Sequence, residues 1–190
     1  KEQHGELLRF CDDLGIVYST SVWDMTSAKE IASLNPKLIK IPSASNLRFD
    51  ILGYLADNYA GEIHISVGMT TQAEEQKIVD FLAAKGRAKD TVLYSCTSGY
   101  PVEPEDMGLL EITRLQKAYG GIVKSIGFSG HHLGTALDIA AYTLGATHIE
   151  RHFTLNRAWK GTDHSASLEP DQLRRLVLDL DATRKALSYK

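Results

Sequence analysis

"THIERHF", residues 147–153, combines two habits of sequence that do not belong together. Thr147, Ile149 and Phe153 have the β-branched and aromatic character of a buried strand, whereas a core strand has no packing reason to hold Glu150, Arg151 and His152. Side chains alternate across a strand. Glu150 and His152 therefore point to one face, and Ile149, Arg151 and Phe153 to the other. A carboxylate and an imidazole aimed together off a strand indicate chemistry rather than packing.

The same kind of strand recurs along the chain. β-rich runs fall at "GIVYST" (15–20), "KLIKIP" (37–42), "EIHISV" (62–67), "VLYSC" (92–96), "VKSIGFS" (123–129) and 147–153. Segments of helical periodicity lie between them, such as "QAEEQKIVDFLAAKG" and "GTALDIAAYTLG"; one more helix leads the series and another closes it. Strand starts are about 22 to 31 residues apart, the spacing of successive βα units with a parallel sheet. A complete (β/α)₈ barrel takes about 250 residues. The 190 residues are therefore expected to be an α/β fold, a (β/α)₈ TIM barrel with strands 3–8 present and the first two missing, forming one partial catalytic domain over 1–190. An open doubly wound sheet is the alternative, but no Gly-rich phosphate fingerprint follows a first strand. Chemically capable residues gather at the C-terminal ends of the runs, where barrel enzymes keep their chemistry.

Composition excludes several partners. With 21 Lys and Arg against 24 Asp and Glu, the net charge of −3 gives no footprint for nucleic acid or an anionic membrane surface. No apolar run reaches the roughly 20 residues of a membrane span, and the N-terminal "KEQHGELLRF" does not read as a signal peptide. Cys11 and Cys96 lack metal or disulfide spacing and are expected as reduced thiols of a cytoplasmic protein.

His131 follows the run "SIGFS" and His152 lies on the next strand, so closure of a barrel brings the two imidazoles side by side at its rim. With Glu150 nearby and positions left open, such a pair suits a divalent first-row ion: Mn²⁺, Zn²⁺ or Fe²⁺. The competing use of Glu150 is an ion pair with a neighbouring arginine. His4, His132 and His148 are expected to be ordinary core or surface residues. Lys40 sits inside an otherwise apolar strand, and a buried ammonium needs an anion. The hydroxyls of Thr20, Ser43 and Ser66 can complete a phosphate or carboxylate cradle beside it. The alternative is an internal ion pair between Lys40 and a core carboxylate.

"KIPSASN", "ISVGM", "CTSGYPVEPED", "GFSGHHLG", "GATHIERHFT" and above all "WKGTDHSASLEP" resemble the sialic acid synthase family, the phosphoenolpyruvate-condensing enzymes that make N-acetylneuraminate and related nonulosonates. The likeness runs in order from "YSTS" to "SLEP". It implies a carbon–carbon bond-forming transferase that joins phosphoenolpyruvate to N-acetylmannosamine, another N-acylmannosamine or the 6-phosphate, and releases phosphate. By the same resemblance, His131 and His152 match the protein ligands of a catalytic Mn²⁺, and Glu150 the carboxylate beside it. Lys40, Ser43, Thr20 and Ser66 match phosphoenolpyruvate contacts. Ser98 lies where some members have an asparagine touching that ligand, and Tyr100 and Asp163 match the amino-sugar side. Gly130 stands where many bacterial members have aspartate. Members commonly pair as dimers through a small C-terminal antifreeze-like domain, which is not found by Lys190; a homodimer is expected of the full-length protein. Lys160, in the loop after the metal strand, is placed to neutralise a sugar 6-phosphate. Two other readings stay open: a different phosphoenolpyruvate-dependent sugar-acid synthase, and a truncated barrel serving as an inactive binding or assembly partner.

Overall fold

A computed structural model describes residues 2–189. Its helices are α1 (Glu2–Asp13), α2 (Met25–Ala32), α3 (Phe49–Asn58), α4 (Gln72–Ala84), α5 (Leu110–Tyr119), α6 (Ala136–Thr143) and α7 (Pro170–Ala186). Its strands are β1 (Leu38–Ile41), β2 (Glu62–Ser66), β3 (Thr91–Cys96), β4 (Ser125–Gly130) and β5 (His148–Arg151). The strands lie in chain order, β1-β2-β3-β4-β5, and both β1–β2 and β4–β5 pair in parallel. Parallel neighbours require a crossover between them, and α3 and α6 supply it for these two pairs.

Two compact units divide the chain: residues 1–93 with 119–124, and residues 94–118 with 125–190. β3 passes from one to the other at Leu93–Tyr94.

In the first unit Ile39 and Ile41 of β1, Ile63 and Ile65 of β2, and Ile51, Leu52 and Leu55 of α3 are wholly buried. Each such side chain contributes roughly 1.5–3 kcal/mol relative to exposure. The helix starts are written in the sequence. Asp24 caps α2 by accepting from Ser27 N at 2.7 Å while Ser27 Oγ accepts from Asp24 N; Thr71 and Glu74 repeat the reciprocal box at α4.

One expected strand does not form. "GIVYST" has a β-rich composition, yet among the described residues its only pairing is an isolated parallel bridge just beyond it, Ser21 to Lys40. Ile16 and Val17 remain more than half exposed. A strand is stabilised by a ladder and a covered face, and this run obtains neither beyond that bridge. Among the described residues there are therefore five strands where six were expected, and the numbering 3–8 is not established.

Arg87 closes the C-terminal end of α3. Its Nη1 donates to the carbonyls of Ala56 and Tyr59, and its Nη2 to Gly61 O at 2.6 Å. Beside it the Tyr59 hydroxyl donates to Pro36 O at 2.6 Å. Burial pushes the Tyr59 phenol up to about 12, outweighing the lowering effect of Arg87. A raised folded-state value means stability that is fully present below the unfolded value of about 10 and lost as pH rises toward 12. The stability advantage of wild type over Tyr59→Phe should thus hold to about pH 10 and then shrink by roughly 1.4 kcal/mol per pH unit. Urea denaturation of both proteins from pH 8 to 11 checks this, and a difference constant with pH contradicts it.

Candidate active site

Within the first unit, period two places Lys40 on the same face of its strand as Leu38, away from Ile39 and Ile41. Lys40 lies opposite His64 in the β1–β2 register, and its ammonium donates to Ser66 Oγ at 2.7 Å. Both side chains are buried. Because Ser66 accepts from the lysine, its own hydrogen is directed to another acceptor. Thr20 is brought alongside, its carbonyl accepting from Lys40 N at 3.1 Å. Ser43 opens a short 3₁₀ turn, Ser43–Ser45, directly after β1. Asn46 fixes that turn to the end of β2 by donating to Ser66 O at 3.0 Å and Gly68 O at 3.1 Å. Asn46 stands inside the motif "KIPSASN", but no spacing rule reveals that its amide serves two backbone carbonyls.

Within the second unit, β4 and β5 carry the imidazole pair. Ser129 and Glu150 are register partners on adjacent parallel strands, so they share a face, and the Ser129 hydroxyl donates to Glu150 Oε1 at 2.8 Å. Two residues further along each strand direction stand His131 and His152, their ring centroids 5.2 Å apart. The alternation read from "THIERHF" holds. Glu150 and His152 share that face, and Arg151 turns to the other, where its guanidinium meets Asp138 of α6. The arginine beside Glu150 is thereby engaged elsewhere.

His131, for which a rim position is expected, is buried. Only 4% of it is accessible, and Nδ1 lies 2.8 Å from Thr97 O. A carbonyl only accepts, so Nδ1 carries the proton and Nε2 keeps its lone pair. Burial holds the His131 pKa below the usual imidazole range, with nearby His152 acting in the same direction and the Thr97 bond opposing. The neutral, Nε2-donating form is the one that ligates a metal. His152 is more accessible, its side chain 38% exposed, and its Nδ1 lies 3.9 Å from Asp163 Oδ2. Tyr100 packs against both rings, at 4.4 Å from His131 and 5.6 Å from His152. Burial raises the Tyr100 phenol pKa, with Cys96, Asp163 and Glu150 adding to it.

Among the described residues no group of three or more His, Cys, Asp or Glu is placed to hold a metal ion. The two imidazoles remain a donor pair that fits a first-row ion completing its coordination from non-protein ligands. Ser98 is half-buried in the segment after β3, next to the Thr97 carbonyl that fixes His131. Lys160 is exposed in the loop between β5 and α7. His164 braces that loop through Thr154 Oγ1 at 2.8 Å, and Glu169 Oε1 accepts from Arg157 N at 3.0 Å. Thr97 and Ser129, which the sequence marks only as polar strand ends, are the residues that hold His131 and Glu150. A backbone carbonyl has no residue signature; Ser129 was legible only as another polar strand end.

The chain is a parallel α/β fold with a buried lysine–serine pair on one pair of strands and two close imidazoles on another, all at strand ends. The model of the NeuB family matches residues 1–190, and the chain belongs to that family, the sialic acid synthases. It is 36% identical over 186 residues to the N-acetylneuraminate-9-phosphate synthase of Homo sapiens, covering 98% of this chain and 50% of that protein. It is 30% identical over 185 residues to the N,N'-diacetyllegionaminic acid synthase of Campylobacter jejuni, covering 97% and 54%. The chain spans about half the length of these curated relatives. Among solved structures, the N-acetylneuraminic acid synthetase from Leptospira borgpetersenii, crystallised with citrate, superimposes with a TM-score of 0.91 at 26% identity, over 99% of this chain and 64% of that one.

Proposed function

We propose that the protein carrying this chain is a sialic acid synthase that condenses phosphoenolpyruvate with an open-chain N-acylmannosamine or its 6-phosphate, releasing inorganic phosphate. The observation that carries the reading is the close pair of His131 and His152 imidazoles, the second on the same face of its strand as Glu150, in a chain of the NeuB family. Carbon 3 of phosphoenolpyruvate attacks the sugar aldehyde, water adds at carbon 2, and the carbon–oxygen bond to phosphate breaks to leave a 2-keto acid. His131 and His152 would hold a divalent ion, with Mn²⁺ the family expectation, which would supply Lewis acidity toward the sugar aldehyde.

The chain's own groups do the rest. Lys40, with the hydroxyls of Ser66, Ser43 and Thr20, binds the phosphate and carboxylate of phosphoenolpyruvate. Glu150, oriented by Ser129, takes the proton from the attacking water. Tyr100 and Asp163 line the sugar side, next to the imidazoles they already touch or approach. In this reading the fold is part of a (β/α)₈ barrel, and the working protein is a cytoplasmic homodimer. Among the described residues no helix is long and apolar enough to cross a membrane.

The Homo sapiens and Drosophila melanogaster relatives are named for a 9-phosphate product. Three carbons of a nonulosonate come from phosphoenolpyruvate, so carbon 9 of the product is carbon 6 of the acceptor. This supports a 6-phosphorylated acceptor here, with Lys160 as its electrostatic partner. Phosphate release by the intact protein should require both phosphoenolpyruvate and a mannosamine derivative, and should favour N-acetylmannosamine 6-phosphate over the free sugar. Lys160→Gln should reduce that preference about 5-fold at low salt, as loss of one exposed charge contact does. An unchanged preference means that Lys160 takes no part in it, and phosphate release independent of any sugar would contradict the assignment.

A further inference from the structure

The face of β5 opposite Glu150 and His152 holds an ionic group that the reaction does not use. The Arg151 side chain is 3% exposed and that of Asp138, in the first turn of α6, is fully buried. Nη1 of Arg151 donates to Asp138 Oδ2 at 2.5 Å, to Gly134 O at 2.8 Å and to His132 Nε2 at 3.1 Å, and Nη2 donates to His132 O at 2.6 Å. Asp138 Oδ2 is also 3.4 Å from His132 Nε2. With Nε2 accepting from the guanidinium, no two donors face each other. Gly130 leaves the space this arrangement needs, since a Cβ there would lie 3.0 Å from the His132 ring and 2.7 Å from that of Phe128.

This group is an inefficient source of stability. His132 Nδ1, Asp138 Oδ1 and Arg151 Nε are buried with no hydrogen-bond partner among the described residues. A buried ionic cluster with orphaned atoms returns less than a well-packed apolar one. Its position is informative instead. Arg151 stands between Glu150 and His152 in sequence, and three of its four acceptors occupy the 132–134 turn that begins immediately after His131. One guanidinium therefore ties the strand bearing one imidazole to the turn bearing the other, from behind.

We propose that Arg151 is a positioning residue, which with Asp138 and His132 sets the spacing of the His131 and His152 imidazoles, and so the affinity of that pair for a divalent ion. This rests on the metal reading of the pair given above. A lysine carries the charge but not the fork that reaches four acceptors at once. Supporting partners behind metal ligands typically govern 10–100-fold in affinity.

The test measures Mn²⁺ binding to the intact protein by electron paramagnetic resonance, with melting temperature followed alongside. Arg151→Lys should remain folded and bind Mn²⁺ about 10-fold more weakly. The double variant Arg151→Met/Asp138→Leu removes both charges together, which spares the fold an unpaired buried ion. It should melt near wild type yet bind about 100-fold more weakly. Wild-type affinity in both variants overturns the positioning role and leaves the metal reading standing. Wild-type protein that fails to bind Mn²⁺ overturns the metal reading and this proposal with it.

Discussion

His152→Ala should abolish Mn²⁺ binding and with it phosphate release, while shifting the melting temperature by no more than a few degrees. The imidazole is more than a third exposed and the Asp163 carboxylate is 3.9 Å away, so little packing is lost with it. Removing one of only two protein donors should cost more than the roughly 100-fold that follows loss of a supporting partner. His131→Ala should lose metal as completely but also melt lower. That side chain is buried, and its truncation opens a cavity and leaves the Thr97 carbonyl without its donor. Calorimetric titration with Mn²⁺ separates the two outcomes, and wild-type affinity in His152→Ala would remove the pair from the chemistry.

Lys40→Met carries the second large effect. Methionine keeps the aliphatic stem within β1 and deletes the ammonium that donates to Ser66. Hydrogen bonds to charged groups contribute about 1.5–3 kcal/mol, so the apparent affinity for phosphoenolpyruvate should fall roughly 100-fold at 1.4 kcal/mol per decade. The Michaelis constant for the sugar should hardly change. If Lys40 instead serves an internal ion pair, the substitution strands a buried carboxylate and the melting temperature falls with phosphoenolpyruvate affinity preserved. Measuring both quantities on one preparation decides between them.

Much of this was legible in the sequence because strand alternation is a strict rule. The opposite facing of Glu150 and Arg151, and the placement of Lys40 away from Ile39 and Ile41, follow from period two alone. The five β-rich runs from residue 37 onward were legible from composition and spacing, and the isoleucines of the first two, Ile39, Ile41, Ile63 and Ile65, are wholly buried, whereas Phe153 of the last is half exposed. "GIVYST" carries the same composition and failed as a strand, because composition does not say whether a neighbour will continue the ladder past the single bridge at Ser21. The site's supports were hidden for a related reason. His131 is oriented by a carbonyl 34 positions away, and Arg151 chooses Asp138, 13 positions back, over the adjacent Glu150. Neither partner is marked by residue type or spacing. The burial of His131 likewise comes from the Tyr100 ring and the Thr97 segment closing over it, which the local sequence does not record.

In the proposed condensation, water enters at carbon 2 of phosphoenolpyruvate and phosphate leaves with its bridging oxygen. Phosphoenolpyruvate labelled with ¹⁸O at that bridging position tests it most directly, when turned over by the intact protein with N-acetylmannosamine 6-phosphate and followed by mass spectrometry of both products. The expected products are a nine-carbon 2-keto acid free of label and inorganic phosphate carrying it. Label retained in the sugar acid, or phosphate released with no nine-carbon acid formed, would contradict it.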